Sequence, residues 1–238
     1  MLPIVYQDEW LVAIDKPAGL LVHRSDIDRH ETRFAVQLLR DQLGRRVTPV
    51  HRLDKGTSGV LLFAFDTEIV RRLQTAFESG TVAKTYLAVV LGLPPEAGVI
   101  DHPLRRDHDD FGRQLPTAEA QAALTRYRRL ATVELPVAID RYPTSRYALV
   151  EMHPETGRRH QLRRHMKHIG HPIIGDATHG KGVHNRYFQQ TFGCHRLLLA
   201  CTRLVFDHPV ATRKVDTHAT LTGEFAALIE RFDWPTKN

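Results

Sequence analysis

The chain has 238 residues, 42% hydrophobic and 25% charged, an ordinary balance for a soluble globular protein with a real core. No run approaches the ~18 apolar residues of a membrane span, and the start lacks the basic-then-apolar pattern of a signal peptide. Lysine plus arginine outnumber aspartate plus glutamate 33 to 27, a net charge of +6, which permits a nucleic-acid partner without demonstrating one. Most of those cations are arginine, which leans toward phosphate and planar-group recognition. Cys194 and Cys201 give no disulfide framework and suit a reducing cytoplasm.

In chain order, Ile4–Tyr6 and Leu11–Ile14 read as strands flanking an acidic turn at Asp8-Glu9. A further turn at Lys16–Gly19 leads to an expected strand at Leu20–Val22. Phe34 to Leu43 reads as a helix stopped by Gly44. His51-Arg52-Leu53-Asp54-Lys55-Gly56-Thr57-Ser58-Gly59 is a charged loop that runs straight into the apolar strand Val60–Phe65. Asp54 lies between two cations, Arg52 and Lys55, and opposite charges a few Å away favour the charged form of a carboxylate. By itself, this is most simply a surface turn with a solvated ion pair.

Asp66 or Thr67 caps a helix whose Ile69, Val70, Leu73 and Phe77 share a face, ended by Gly80. Lys84–Leu91 is a strand, apolar on both faces after Tyr86. Residues 94–117 read as a surface excursion, followed by strands near 120–131 and 146–153. Arg158–Ile169 fits a helix with a narrow seam of Leu162, Met166 and Ile169. Arg159, Arg163 and Lys167 form one i,i+4 ridge of it and His160, Arg164 and His168 another, with no acidic residue. The His179–His184 stretch reads at least as well as a solvated loop. Leu197–Leu199 and Leu204–Phe206 make one long strand or two, and Phe225–Phe232 a closing amphipathic helix. Mixing without strict alternation suggests one α+β domain on a mainly antiparallel sheet.

The 15 histidines raise the question of a metal. No CxxC or HExxH pair occurs, and the cations around His165 and His168 oppose a dication, so no metal is expected. The glycines match neither the Walker A loop nor the dinucleotide fingerprint, and no Gly-x-Ser-x-Gly elbow occurs. What remains is a carboxylate in a cationic loop, an aromatic residue and a basic helix, a set suited to chemistry on an anionic polymer.

At these residues the chain resembles the RluA-type pseudouridine synthases. The resemblance rests on His51-Arg52-Leu53-Asp54-x-x-Thr57-Ser58-Gly59, on Lys84-x-Tyr86, on Gly157-Arg158-x-His160-Gln161-Leu162-Arg163-x-His165 and on His171-Pro172-Ile173-Ile174-Gly175-Asp176. It runs from Ile4 to about Pro209. Residues 6–25, 131–137 and 141–147 are similar to the branch that modifies uridine 65 of transfer RNA. Two departures occur: Lys55-Gly56 stands where that branch often has Arg-Pro, and Leu199-Ala200-Cys201 where the family commonly has Leu-His-Ala.

The resemblance implies an α+β pseudouridine synthase fold, one catalytic domain over 1–238 with no N-terminal S4 domain, and isomerisation of uridine without cofactor or metal. It implies that Asp54 is the essential carboxylate, Arg163 its ion-pair partner, and Tyr86 the ring that stacks on the flipped uracil. Arg52, Leu162, His51, Thr57, Lys84, Arg158, His160 and Gln161 are the implied substrate-binding residues. The expected partner is RNA, transfer RNA first, met by a cytoplasmic monomer away from any membrane. The alternatives are the same reaction on ribosomal RNA and a non-catalytic RNA chaperone on the same fold.

Overall fold

The computed structural model describes residues 1–23, 31–105 and 119–235. The elements in chain order are β1 (Ile4–Gln7), β2 (Leu11–Lys16), α1 (Ala35–Leu43), β3 (Thr48–Pro49), β4 (Ser58–Ala64), α2 (Thr67–Glu78), β5 (Ala83–Leu91), β6 (Ala97–Asp101), β7 (Leu104–Arg105), β8 (Ala120–Gln121), β9 (Leu124–Leu135), β10 (Ser145–Pro154), α3 (Gln161–His168), α4 (Gly182–Phe192), β11 (Leu199–Asp207), β12 (Lys214–His218) and α5 (Gly223–Arg231). Among the described residues, ten strands form one sheet, with β1-β2-β4-β11-β5-β10-β9-β6 as its path, β12 on β11 and β3 on β4. Its pairings are antiparallel except β4 with β11. This is the mixed, mainly antiparallel α+β architecture expected from the sequence.

β5 and β10 lie at the centre of one half because they are apolar on both faces, and the two-residue period sorts their side chains into two cores. Leu87, Val89, Tyr147 and Leu149 pack with Phe188 of α4 and with Phe225, Leu228 and Ile229 of α5. Ala88, Val90, Ala148, Val150 and Met152 pack with Leu162 and Met166 of α3. A third core joins β2 and β4 to Ala35 and Leu39 of α1 and Ile69, Val70 and Leu73 of α2. Asp66 caps α2, accepting from the Glu68 amide at 2.7 Å.

The one parallel pairing positions the functional loop. Ser58 and Gly59, the first residues of β4, pair with Ala200 and Cys201 of β11. Gly59 has φ of +107°, and a Cβ there would lie 2.0 Å from the Cys201 carbonyl oxygen. Gly59→Ala is therefore expected to cost more than ~3 kcal/mol in denaturant unfolding.

Three expectations are corrected. Leu20–Val22 is not a strand: Leu21 makes only a bridge to Phe34, because the chain here wraps around the buried Lys16 amine, which takes the Leu20 carbonyl at 2.8 Å. α3 starts at Gln161, not Arg158, because the Gln161 side chain takes the Arg158 amide at 3.0 Å and the Thr156 hydroxyl at 2.7 Å and holds the preceding turn open. The solvated loop expected at His179–His184 becomes helical from Gly182, with His184 and Phe188 buried. Of the two readings for the stretch through Leu204–Phe206, one long strand holds: Leu199–Asp207 is continuous, irregular between Cys201 and Arg203 where it passes β5. Residues 106–117 of the expected excursion, and Arg24-Ser25, lie outside the described residues.

Candidate active site

A cleft of about 610 Å³ opens between the 18–23 turn, the 52–56 loop, the start of α3 and the 175–178 turn, with His195–Leu197 and Glu224 along its floor. That volume is in the range of small-molecule sites.

Asp54 projects into this cleft from a loop tied down on both sides. The Thr57 amide donates to the Asp54 carbonyl at 3.0 Å, closing the turn. The neighbouring Lys55 carbonyl accepts from the Gly19 amide at 2.8 Å and from the Lys16 ammonium at 3.3 Å. Lys16 is fully buried and also donates to the Pro17 carbonyl at 2.9 Å. Burial, reinforced by the nearby Arg196, pushes its amine down to about 7, against the pull of Asp54 and Asp15. Arg196 itself donates to the Ser58 hydroxyl at 2.6 Å, fixing the far end of the loop.

Across the cleft stands Arg163, 109 residues away in sequence, donating through Nη1 to Asp54 Oδ2 at 3.0 Å. Its other edge is gripped by Asp176. Arg163 Nε donates to Oδ2 at 2.7 Å and Nη2 to Oδ1 at 2.8 Å, a bidentate pair of fixed geometry. The Asp176 side chain is fully inaccessible and also accepts the amides of Thr178 and His179, each at 2.9 Å. Burial raises the Asp176 pKa, but Arg163 and the two amides outweigh it and leave the carboxyl below its ordinary value. Arg163 likewise stays charged: its own burial opposes the charge, and Asp176 and Asp54 more than restore it. The turn carrying Asp176 is held by Asn185 of α4, which accepts the Gly175 amide at 2.8 Å and donates to the Asp176 carbonyl at 2.9 Å.

His160 sits at the mouth of α3 with φ of +54°, a left-handed conformation uncommon outside glycine. Its ring lines the cleft, Nε2 3.9 Å from Asp54 Oδ2 and Nδ1 3.0 Å from His179 Nε2. Burial, only partly opposed by Asp54, pushes it down to about 4. Arg52 is exposed and lines the cleft, as does Arg159.

Of the residues expected at the site, Asp54, Arg163, His160 and Arg52 converge on this cleft. Tyr86 is not among the residues lining the cleft; it is half-buried between two cores and paired in register with Cys201 and Met152. Its phenol is held well above its usual pKa by burial, by Cys201 and by the charge of Asp54, so it stays protonated. Leu162 is buried beneath α3. Thr57 is buried and serves the turn.

Four others face elsewhere. His51 turns inward, accepting the Leu62 amide at 3.1 Å and stacking on Phe77 with centroids 4.5 Å apart. Burial and Lys84 push its imidazole down to about 3. Lys84 is itself buried, which lowers its amine. Gln161 spends its amide on the Leu124 carbonyl and the Thr125 hydroxyl, each at 3.0 Å. Arg158 is exposed and donates to the Ala122 carbonyl at 3.1 Å. Asp176, Asn185, His179, Lys16 and Arg196 were not among the expected site residues. Asp176 closes the motif that begins at His171, so its signal was present in the sequence. Among the described residues, no group of three or more His, Cys, Asp or Glu is arranged to hold a metal ion.

Comparison with known proteins shows the family. The family described as RNA pseudouridylate synthase matches residues 10–168. The chain is 50% identical to the tRNA pseudouridine synthase C of Vibrio cholerae serotype O1, over 98% of this chain and 97% of the relative. It is 47% identical to the protein of that name from Pasteurella multocida, with the same two coverages. The solved structure titled Human RNA Pseudouridylate Synthase Domain Containing 4 superposes with a TM-score of 0.73 at 26% identity, covering 99% of this chain and 95% of that one. The chain belongs to the RNA pseudouridylate synthase family.

Proposed function

We propose that this enzyme converts uridine 65 of transfer RNA to pseudouridine, with Asp54 as the essential carboxylate. The observation that carries the assignment is the fixed set Asp176–Arg163–Asp54: a buried carboxylate orients a guanidinium, which presents one nitrogen to a second carboxylate in an open cleft. The names of the relatives support transfer RNA as substrate. The likeness of residues 6–25, 131–137 and 141–147 to the uridine-65 branch supports the position. Both cysteines are free, in keeping with a cytoplasmic enzyme, which we take to act as a monomer.

The reaction breaks the C1′–N1 bond, turns the uracil and joins C5 to C1′. Asp54 serves it by attacking C1′ or by removing a sugar proton. Arg163 fixes the direction of that carboxylate. The target base must first leave its stack, at a cost of about a few kcal/mol. Arg52 and Arg159, held against the flanking phosphates, offset that cost. Tyr86 closes the site behind the base, supplying an aromatic surface that keeps its proton.

Release of tritium from 5-tritiated uridine in transfer RNA tests the reading, because C–C bonding at C5 must discard that hydrogen. Release from ribosomal RNA transcripts alone would overturn the choice of substrate. Arg52→Ala should weaken transfer-RNA binding and flatten the dependence of log K on log salt by roughly 0.7–0.9 for each phosphate the variant no longer neutralises. Filter binding at several salt concentrations measures it.

A further inference from the structure

We propose that His160 is the neutral hydrogen-bond donor that stabilises the uracil while it is detached from the sugar, and that His179 is the positioning residue that fixes its tautomer. The proposal deepens the reading of this cleft as the site of uridine isomerisation and rests on it.

His160 stands at the N-terminus of α3 and makes no capping bond. The backbone instead holds a left-handed conformation that places the ring in the cleft beside Asp54. Backbone strain of this kind persists where the surroundings over-determine it. One ring nitrogen is taken by His179 at 3.0 Å, and the other faces Asp54 Oδ2 at 3.9 Å. The His179 ring also crosses the His160 ring edge-on, with centroids 5.3 Å apart.

That pair holds one proton between its facing nitrogens. A carboxylate facing Nε2 favours the tautomer with its proton there, so Nδ1 of His160 accepts from Nε2–H of His179. The charged and titratable groups around His160 are Asp54, Arg163, His179 and Arg159. Burial together with the two arginines keeps the ring uncharged, and His179 is lowered by burial as well. Arg163 has committed Nε and Nη2 to Asp176 and Nη1 to Asp54. His160 is thus a fixed, uncharged N–H aimed beside the reacting carboxylate.

The chemistry asks for such a group. When C1′–N1 breaks, its electron pair leaves with the uracil, and the negative charge spreads over N1, O2, O4 and C5. C5 then bonds to C1′, the hydrogen on C5 departs as a proton, and N1 takes one up, so atoms and charge balance. O2 is carried on C2, the neighbour of N1, so with C1′ at Asp54 the proposal assigns O2 to His160, whose Nε2 is 3.9 Å from Asp54 Oδ2. A preorganised donor aimed where charge develops lowers the barrier. A histidinium would hand its proton to N1 or an oxygen and draw the electron density away from C5. An uncharged N–H stabilises the anion and leaves C5 nucleophilic.

Steady-state kinetics on a transfer-RNA transcript test this with His160→Ala, His160→Gln, His179→Leu and His179→Gln, with Asp54→Asn run alongside. His160→Ala should lower kcat by about 10–100-fold with KM within about threefold. His160→Gln should recover most of kcat, because its amide N–H reaches the same space. His179→Leu should lower kcat less than His160→Ala, and His179→Gln, which still donates to Nδ1, should restore it. Unchanged kcat in His160→Ala, a loss confined to KM, or equal kcat in the two His179 variants would overturn the proposal. If His160→Ala melts well below wild type, the two His179 variants decide the matter. An active Asp54→Asn would instead overturn the reading of the cleft on which this rests.

Discussion

Asp54→Asn is expected to lower pseudouridine formation by at least ~1,000-fold while transfer-RNA affinity stays within about threefold of wild type. The substitution keeps size and shape, and an amide oxygen still accepts from Arg163 Nη1. What is lost is the reacting oxygen itself. The loop should survive, because its anchors are backbone groups: the Asp54 and Lys55 carbonyls, the Gly19 amide and the Lys16 ammonium that meets them. Tritium release reads turnover, and filter binding reads affinity. Loss of both together would point to a collapsed cleft.

Asp176→Asn is the second large effect, and it should appear in stability as well as turnover. Asp176 is inaccessible, and Arg163 is nearly so, at 10% side-chain exposure. Removing one charge of a buried pair leaves the other poorly compensated, at a cost of about 3–5 kcal/mol. Arg163 would then lean on Asp54 alone, and the carboxylate would lose its fixed direction, so kcat should fall with the melting temperature. The pH dependence has a definite sign. The folded-state pKa of Asp176 is depressed, so its contribution is fully present above the unfolded carboxylate value of about 4 and is lost as pH falls through the folded value. Wild type should therefore lose stability on acidification below about pH 4 more steeply than Asp176→Asn. Urea unfolding across that range checks it.

The parts of the fold legible in the sequence are those where one local signal sufficed. The double-sided apolar pattern of Lys84–Leu91 marked β5 as a strand, and Asp66 or Thr67 marked the start of α2, which Asp66 caps. α4 was hidden because its apolar positions Val183, Tyr187, Phe188 and Phe192 are interleaved with His184, Asn185, Arg186 and two glutamines, behind a glycine-rich start. Leu20–Val22 has strand composition, but a buried ammonium reorganises it, a tertiary effect no local pattern carries.

The site shows the same division. Motif resemblance pointed to Asp54 and Arg163, which the fold brings to 3.0 Å. It did not give side-chain direction. Within one short motif Asp54 faces the cleft while His51 faces Phe77 and the Leu62 amide. Gln161 and Arg163 are two residues apart, yet one braces β9 through Leu124 and Thr125 and the other reaches across the cleft. Asp176 ends a motif that gives it no role by itself, because its partner is recognised only once α3 and the 171–176 turn are packed together.

The assignment of Asp54 and of the target turns on mapping pseudouridine at single-nucleotide resolution in unmodified transfer-RNA transcripts, after incubation with wild type or Asp54→Asn. Wild type is expected to leave pseudouridine at position 65, and Asp54→Asn none. Pseudouridine formed by Asp54→Asn, or appearing in ribosomal RNA transcripts while every transfer RNA stays unmodified, would contradict the assignment.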